Sequence, residues 1–310
     1  MVSLPTLSDL PVVGAALRQQ LFAPINRSLS ADRLPFEQYT DPPGDPGLFG
    51  PGSVTWRVHG DPTMLIGGLT ALLVQTLHPL AMAGVAEHSN YRRDPLGRLS
   101  RTGSFVTGTT YGSTETAERL IKLVKGIHRK VRGTAPDGRP YDASDPELIT
   151  WVHATEVAGF LRAHQRFTPF PVRGDAADRY LHEMATIAER LGGTGVPRTR
   201  VALRAYFRRL RPGLEAGDQA RDAVKFLTTP MSAPGAPLVG AAHQVVIQAA
   251  IGLMPPWGRE MLGLRQPTLV DWAMVRPATH LIMGTLRLAG GTPPPLVEAR
   301  RRVAAEPRVA

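Results

Sequence analysis

Apolar residues recur along this chain at three- and four-residue spacings, the period of helices buried on one face, and sustained period-two alternation is scarce. The pattern predicts a helix over 8–22. DPPGDPGLFGPG at 41–52 follows, with prolines and glycines that exclude regular helix. SVTWRVHGD at 53–61 reads as a short strand or an extended lead-in, and Asp61-Pro62 opens a helix as a cap followed by a first-turn proline. Residues 63–86 then run for 24 positions without Asp, Glu, Lys or Arg, a length that suffices to cross a bilayer. Gln75, His78 and Pro79 interrupt the run, Gly67-Gly68 weakens it, and no aromatic belt flanks it. The expectation is a buried central helix broken near Pro79, with no transmembrane span.

A polar turn at 87–95 leads into a helix over 96–110. Ser113 or Thr114 caps the next, expected to run to about Arg132, with Glu115 and Glu118 early and Lys130 and Arg132 late, as the helix dipole favours. GTAPDGRPYDAS reads as a tight loop. Asp145-Pro146-Glu147 starts a long helix to Phe167. Further helices are expected over 176–191, 199–210, 218–227, 238–253 and 269–288, the last broken near Pro277. No 20–50-residue repeat is present. The fold class is all-α, one globular multi-helix bundle of about ten helices. An N-terminal arm (1–52) precedes the helical domain (53–290), and a basic, frayed tail (291–310) follows it.

Composition changes this picture in three ways. The formal net charge is +10, and only four of the 36 basic residues are lysines. These cations are dispersed and not interleaved with aromatics, so an anionic ligand suits them better than nucleic acid. The absence of cysteine excludes disulfides, a thiolate metal site and a Cys nucleophile. The first twenty residues carry no basic leader, so no secretory signal is read and a cytoplasmic location is expected, with peripheral membrane association left open.

The candidate chemistry lies between Arg98 and Val157. Arg98, Arg101 and Thr102 share a helix face at i, i+3 and i+4. Lys125, His128 and Arg132 fall at i, i+3 and i+7, which reads either as a solvated basic face or as an imidazole ligand flanked by cations. His153 and Glu156 form an H-x-x-E pair, the spacing of helical iron sites, but a second pair is missing. His78-Pro79 suits helix geometry, and His164, His182, His243 and His280 read as structural or surface residues. GxGxxG after a strand, GxxxxGK[ST], HExxH and GxSxG are absent, which leaves nucleotide-binding, zinc-protease and α/β-hydrolase readings without support.

VTWRV (54–58), LLVQTLHPLAMAGVAEHS (72–89), RLSRT (98–102), IHRKVRG (127–133) and DPELITWVHATEV (145–157), in this order, resemble the MpaB/rubber-oxygenase family, which includes the latex-clearing proteins. The resemblance spans roughly residues 50–290 and is nearest to uncharacterised bacterial members. It implies an all-helical haem b protein that acts with dioxygen on a hydrophobic, unsaturated or isoprenoid-like substrate. It also implies His128 as the axial iron ligand, Lys125 and Arg132 as propionate partners, and His153 as a haem-edge support. Arg98, Arg101 and Thr102 fall where the family has Arg, two residues, Lys, Thr on the distal side. Arg101 is the departure, because a guanidinium stays protonated and ligates iron poorly. Glu87 is the nearest candidate for the family's distal glutamate. The substrate is expected in a pocket lined by the apolar helices at 63–86 and 238–254. A haem-binding protein without turnover, and a non-haem iron enzyme using His153 and Glu156, are the alternatives.

Overall fold

The computed structural model describes residues 37–229 and 237–305. The expected helix at 8–22 lies outside them. The fold is all-α, with more helices than the ten expected. Among the described residues the only strands are β1 (Arg132–Thr134) and β2 (Pro140–Asp142), an antiparallel hairpin in which Arg132 pairs with Asp142 and Thr134 with Pro140.

A crossing of two helices organises the core. The long helix Pro146–Phe167 starts where Asp145 accepts the Glu147 N–H at 2.7 Å and Pro146 occupies the first turn, whose N–H needs no partner. It crosses Met64–Gln75 at glycines. A Cβ at Gly67 would sit 2.7 Å from the Phe160 Cα, and one at Gly159 would collide with the Gly67 carbonyl. Close backbone approach lets Ile66, Leu73, Val74, Trp151, Val157 and Phe160 interlock in one core cluster. Each such aliphatic side chain stabilises the fold by about 1.5–3 kcal/mol on burial.

The uncharged run breaks as expected. Met64–Gln75 and Pro79–His88 meet at 106°. Pro79 cannot donate a backbone hydrogen bond, and His78 caps the second segment by accepting the Ala81 N–H at 3.4 Å. Among the described residues no single helix is long and apolar enough to cross a membrane. Helix Pro237–Leu253 packs directly on Met64–Gln75, where the Thr70 hydroxyl donates to the Ala250 carbonyl at 3.1 Å. The two apolar helices expected to line a substrate pocket therefore build core against each other.

Five local expectations need correction. Residues 53–61 are not extended: Val54–His59 is a helix, capped by Ser53 and anchored by Glu183, whose carboxylate accepts the Val54 and Thr55 N–H groups at 3.3 and 2.8 Å. The helix expected to reach Arg132 is Thr114–His128. The loop after it is the β hairpin. The basic end is not frayed over Pro294–Ala304, which is a helix whose Arg302 is buried. The Arg302 guanidinium donates to the carbonyls of Tyr39, Asp45, Tyr111 and Gly112 and so fastens the Pro/Gly loop and the 111–112 turn to the C-terminal helix. Near Pro277, Asp271–Val275 is a π turn and not a break; it runs on into helix Arg276–Gly290.

Candidate functional site

Helices Pro95–Tyr111 and Thr114–His128 are joined by Gly112-Ser113 and pack along each other. Gly112 is required there, since a Cβ would approach the Thr116 methyl at 2.8 Å. Arg98, Arg101 and Thr102 lie in the first turns of one helix, and Lys125 and His128 in the last turn of the other.

His128 closes its helix half-buried. Its Nδ1 is sealed from solvent without a hydrogen-bond partner. Desolvation lowers its pKa, and the Asp142 carboxylate opposes that only in part. The ring is thus held neutral with a lone pair, the form in which imidazole binds iron. Lys125, one turn earlier, is exposed. Arg132 is four residues on but not one helical turn on, because the chain turns through 129–131 into β1. Its guanidinium pairs with Asp142 at 2.8 Å.

Arg98 and Arg101 rise from a helix capped by Asp94, which accepts the Gly97 N–H at 2.9 Å. The Arg98 guanidinium lies 5.9 Å from the Tyr91 ring centroid, and burial lowers its pKa. Arg101 reaches back to Asp94 at 3.2 Å, and both Arg101 and Thr102 are exposed. Beside them, a Cβ added at Gly103, or at Gly126 on the partner helix, would meet nothing within 4 Å. Each helix therefore faces open space at its glycine.

Glu87 is occupied: its carboxylate accepts a very short hydrogen bond from the Tyr141 hydroxyl, which also lies 3.1 Å from His88 Nε2. Desolvation and that carboxylate push Tyr141 up to about 12.

His153 and Glu156 share one side of helix Pro146–Phe167, as their spacing predicts. His153 is buried, its Nε2 has no partner, and desolvation takes its pKa to about 4. Glu156 is desolvated and pushed up to about 7, with no hydrogen-bond donor to it among the described residues. Among those residues no group of three His, Asp or Glu side chains is placed to hold a metal ion, so this pair has no third ligand there.

Sequence reasoning missed His59. Its Nδ1 lies 2.8 Å from the Thr110 hydroxyl and its Nε2 3.0 Å from the Tyr180 hydroxyl, with Phe160 edge-on at 5.4 Å. Burial takes its pKa to about 3. The signal in the sequence was Ser53 three residues ahead of Trp56, a helix cap hidden by the β-branched residues that follow it. His164 is structural: its Nδ1 accepts the Val172 N–H at 3.3 Å.

The donor set offers a haem one matching feature, a neutral imidazole with an orphaned nitrogen. The fit is weakest at Arg132, whose charge is already matched by Asp142.

A family model described as "ER-bound oxygenase mpaB/B'/Rubber oxygenase, catalytic domain" matches residues 56–288. Two uncharacterised proteins, from Mycobacterium bovis and Mycobacterium tuberculosis, are each 29% identical over 211 residues, covering 66% of this chain and 78% of the relative. No solved structure matches.

Proposed function

The chain belongs to the ER-bound oxygenase mpaB/B'/rubber oxygenase family, and on that premise we propose that it is a haem b-dependent oxygenase acting with dioxygen on a hydrophobic, unsaturated or isoprenoid-like small molecule. The observation that carries the reading is His128, an imidazole kept neutral by burial with a nitrogen that nothing in the protein satisfies. Haem bound there would supply the dioxygen chemistry, and the protein would supply ligation, orientation and electrostatics. His128 holds the iron. Arg98, Arg101 and Thr102 would offer two cations and a hydroxyl to developing negative charge. Arg101 cannot compete with His128 for the metal, because it does not give up its proton. Lys125 and Arg132 are exposed and would pair with the carboxylates of the group, Arg132 exchanging Asp142 for one of them. His153, buried with an unsatisfied Nε2, would support the group from helix Pro146–Phe167.

The test is the absorption spectrum of the purified protein, followed by a pyridine haemochrome assay on wild type and His128→Ala. A Soret band with near-stoichiometric haem b, lost in the variant, is the expected result. A colourless protein that takes up no added haemin rejects the reading. Iron without porphyrin would turn attention to His153 and Glu156.

A further inference from the structure

The C-terminal third carries an apolar face that the core does not use. Leu269 and Val270, Trp272 and Met274 of the π turn, and Leu281 and Leu288 of Arg276–Gly290 are all exposed, with Trp272 66%, Leu281 73% and Leu288 90% accessible. Leu281 and Leu288 are seven residues apart and lie on one side of their helix. The patch extends onto neighbouring elements. Arg287 binds Asp61 and the Phe167 carbonyl, which brings the exposed Leu65 and Phe170 to the same region. Large exposed apolar side chains gathered on one segment in this number mark an interaction surface.

Charge around the patch selects the occupant. Residues 256–290 contain four arginines against Glu260 and Asp271. Asp271 is shared by Arg166 and Arg276, which leaves that trio positive. Asp61 is matched by Arg287. Arg57, whose guanidinium donates to the Phe170 carbonyl at 2.7 Å, and Arg173 and Arg265 are exposed with no carboxylate partner among the described residues. An apolar stripe with an exposed Trp and a surplus of arginines fits an anionic lipid surface, with the leucines in the acyl boundary and the guanidinium groups at the phosphates. A second copy of this chain would set the same surplus of arginines against itself.

We propose that Leu269–Leu288 is an interfacial segment that seats the protein on anionic membrane lipid. This does not depend on the haem reading, and it places the protein where a hydrophobic substrate is dissolved.

The test uses the full chain and vesicles of phosphatidylglycerol and phosphatidylcholine. Trp56 and Trp151 are buried and Trp257 is half-buried against the core, so a blue shift on vesicle addition that disappears in Trp272→Phe belongs to Trp272. The doubly substituted Leu281→Glu, Leu288→Glu protein should partition less by on the order of tenfold or more, since each loses a buried aliphatic side chain and gains a charge of the lipid's sign. Val201→Glu, at an exposed leucine-sized position outside the patch, should partition as wild type does, and high salt should weaken binding in all of them. Wild type that stays in the supernatant with phosphatidylglycerol vesicles overturns the proposal. If that protein is a dimer which the double substitution dissociates, the face belongs to a second copy. If it is a monomer, the face takes neither lipid nor a second copy and the proposal falls.

Discussion

Arg287 and Asp61, 226 positions apart, are joined by two hydrogen bonds of 2.8 and 3.0 Å, and the same guanidinium donates to the Phe167 carbonyl at 2.7 Å. One side chain thus ties the start of the core helix Met64–Gln75 to the end of Pro146–Phe167 and to helix Arg276–Gly290. Both partners are under a quarter exposed, so solvent screens the pair only in part.

Removing Arg287 leaves a partly buried carboxylate without its cation. Arg287→Met should destabilise the protein at pH 7 by about 1–3 kcal/mol, below the range for a fully buried pair because of the residual exposure. Burial alone would raise the Asp61 pKa, but the hydrogen bonds from Arg287 and Thr63 outweigh it and lower it. A carboxyl with a depressed folded pKa stabilises above its unfolded value and loses that contribution as pH falls through the folded one. Urea midpoints of wild type and Arg287→Met should therefore differ at pH 7 and converge toward pH 3. Equal midpoints at pH 7 would remove the pair from the account of stability.

His59 titrates with a consequence of the same sign. In the unfolded chain it takes up a proton near its ordinary pKa, while in the fold it resists protonation down to about 3. Between those values the unfolded state binds more protons, so stability falls as pH is lowered, by up to about 1.4 kcal/mol per pH unit for each such group. His153 and His164, both lowered to about 4 by burial, act in the same direction. Denaturation at pH 7, 6 and 5 should show a steep loss in wild type and a loss shallower by about one proton in His59→Gln. An unchanged slope in the variant would mean that His59 is protonated in the fold.

Much of the architecture was legible because its signals are local. Asp145-Pro146, Ser113 and Thr199 act within a turn of themselves, and Pro79 breaks a helix by lacking a donor. What failed depends on distant partners. Val54–His59 is six residues long and rich in β-branched side chains, and its first N–H groups are satisfied by Glu183 on another helix. Arg302 looks like one of a frayed basic run until four distant carbonyls claim it. In the candidate site, the face shared by Arg98, Arg101 and Thr102 and the one shared by His153 and Glu156 follow from helical spacing. The Lys125–His128–Arg132 stripe does not survive intact, because three residues of turn carry Arg132 onto a strand opposite Asp142. His59 was invisible because its importance rests on Thr110 and Tyr180, neither near it in sequence.

Glu156 gives the sharpest contrast with His59. Desolvation raises its folded pKa to about 7, and no donor among the described residues compensates its charge. A carboxyl whose folded pKa is raised contributes the other way from Asp61. Above its unfolded value the unfolded state sheds the proton that the fold retains, so stability declines as pH rises from about 4.5 to 7 and stays reduced above that. Glu156→Gln keeps the shape of the protonated acid and removes the titration. It should therefore stabilise the protein by about 1–3 kcal/mol at pH 8 and by little at pH 5. Infrared spectra offer an independent check, since a protonated carboxyl absorbs above the amide band. That absorption should be present at pH 6, fade through pH 7–8 and be absent from Glu156→Gln. A variant less stable than wild type at pH 8 would show instead that the carboxylate is ionised and satisfied. The space around it would then contain a cation or donor, and His153, one turn away with an unsatisfied nitrogen, would be the first residue to examine for a shared ligand.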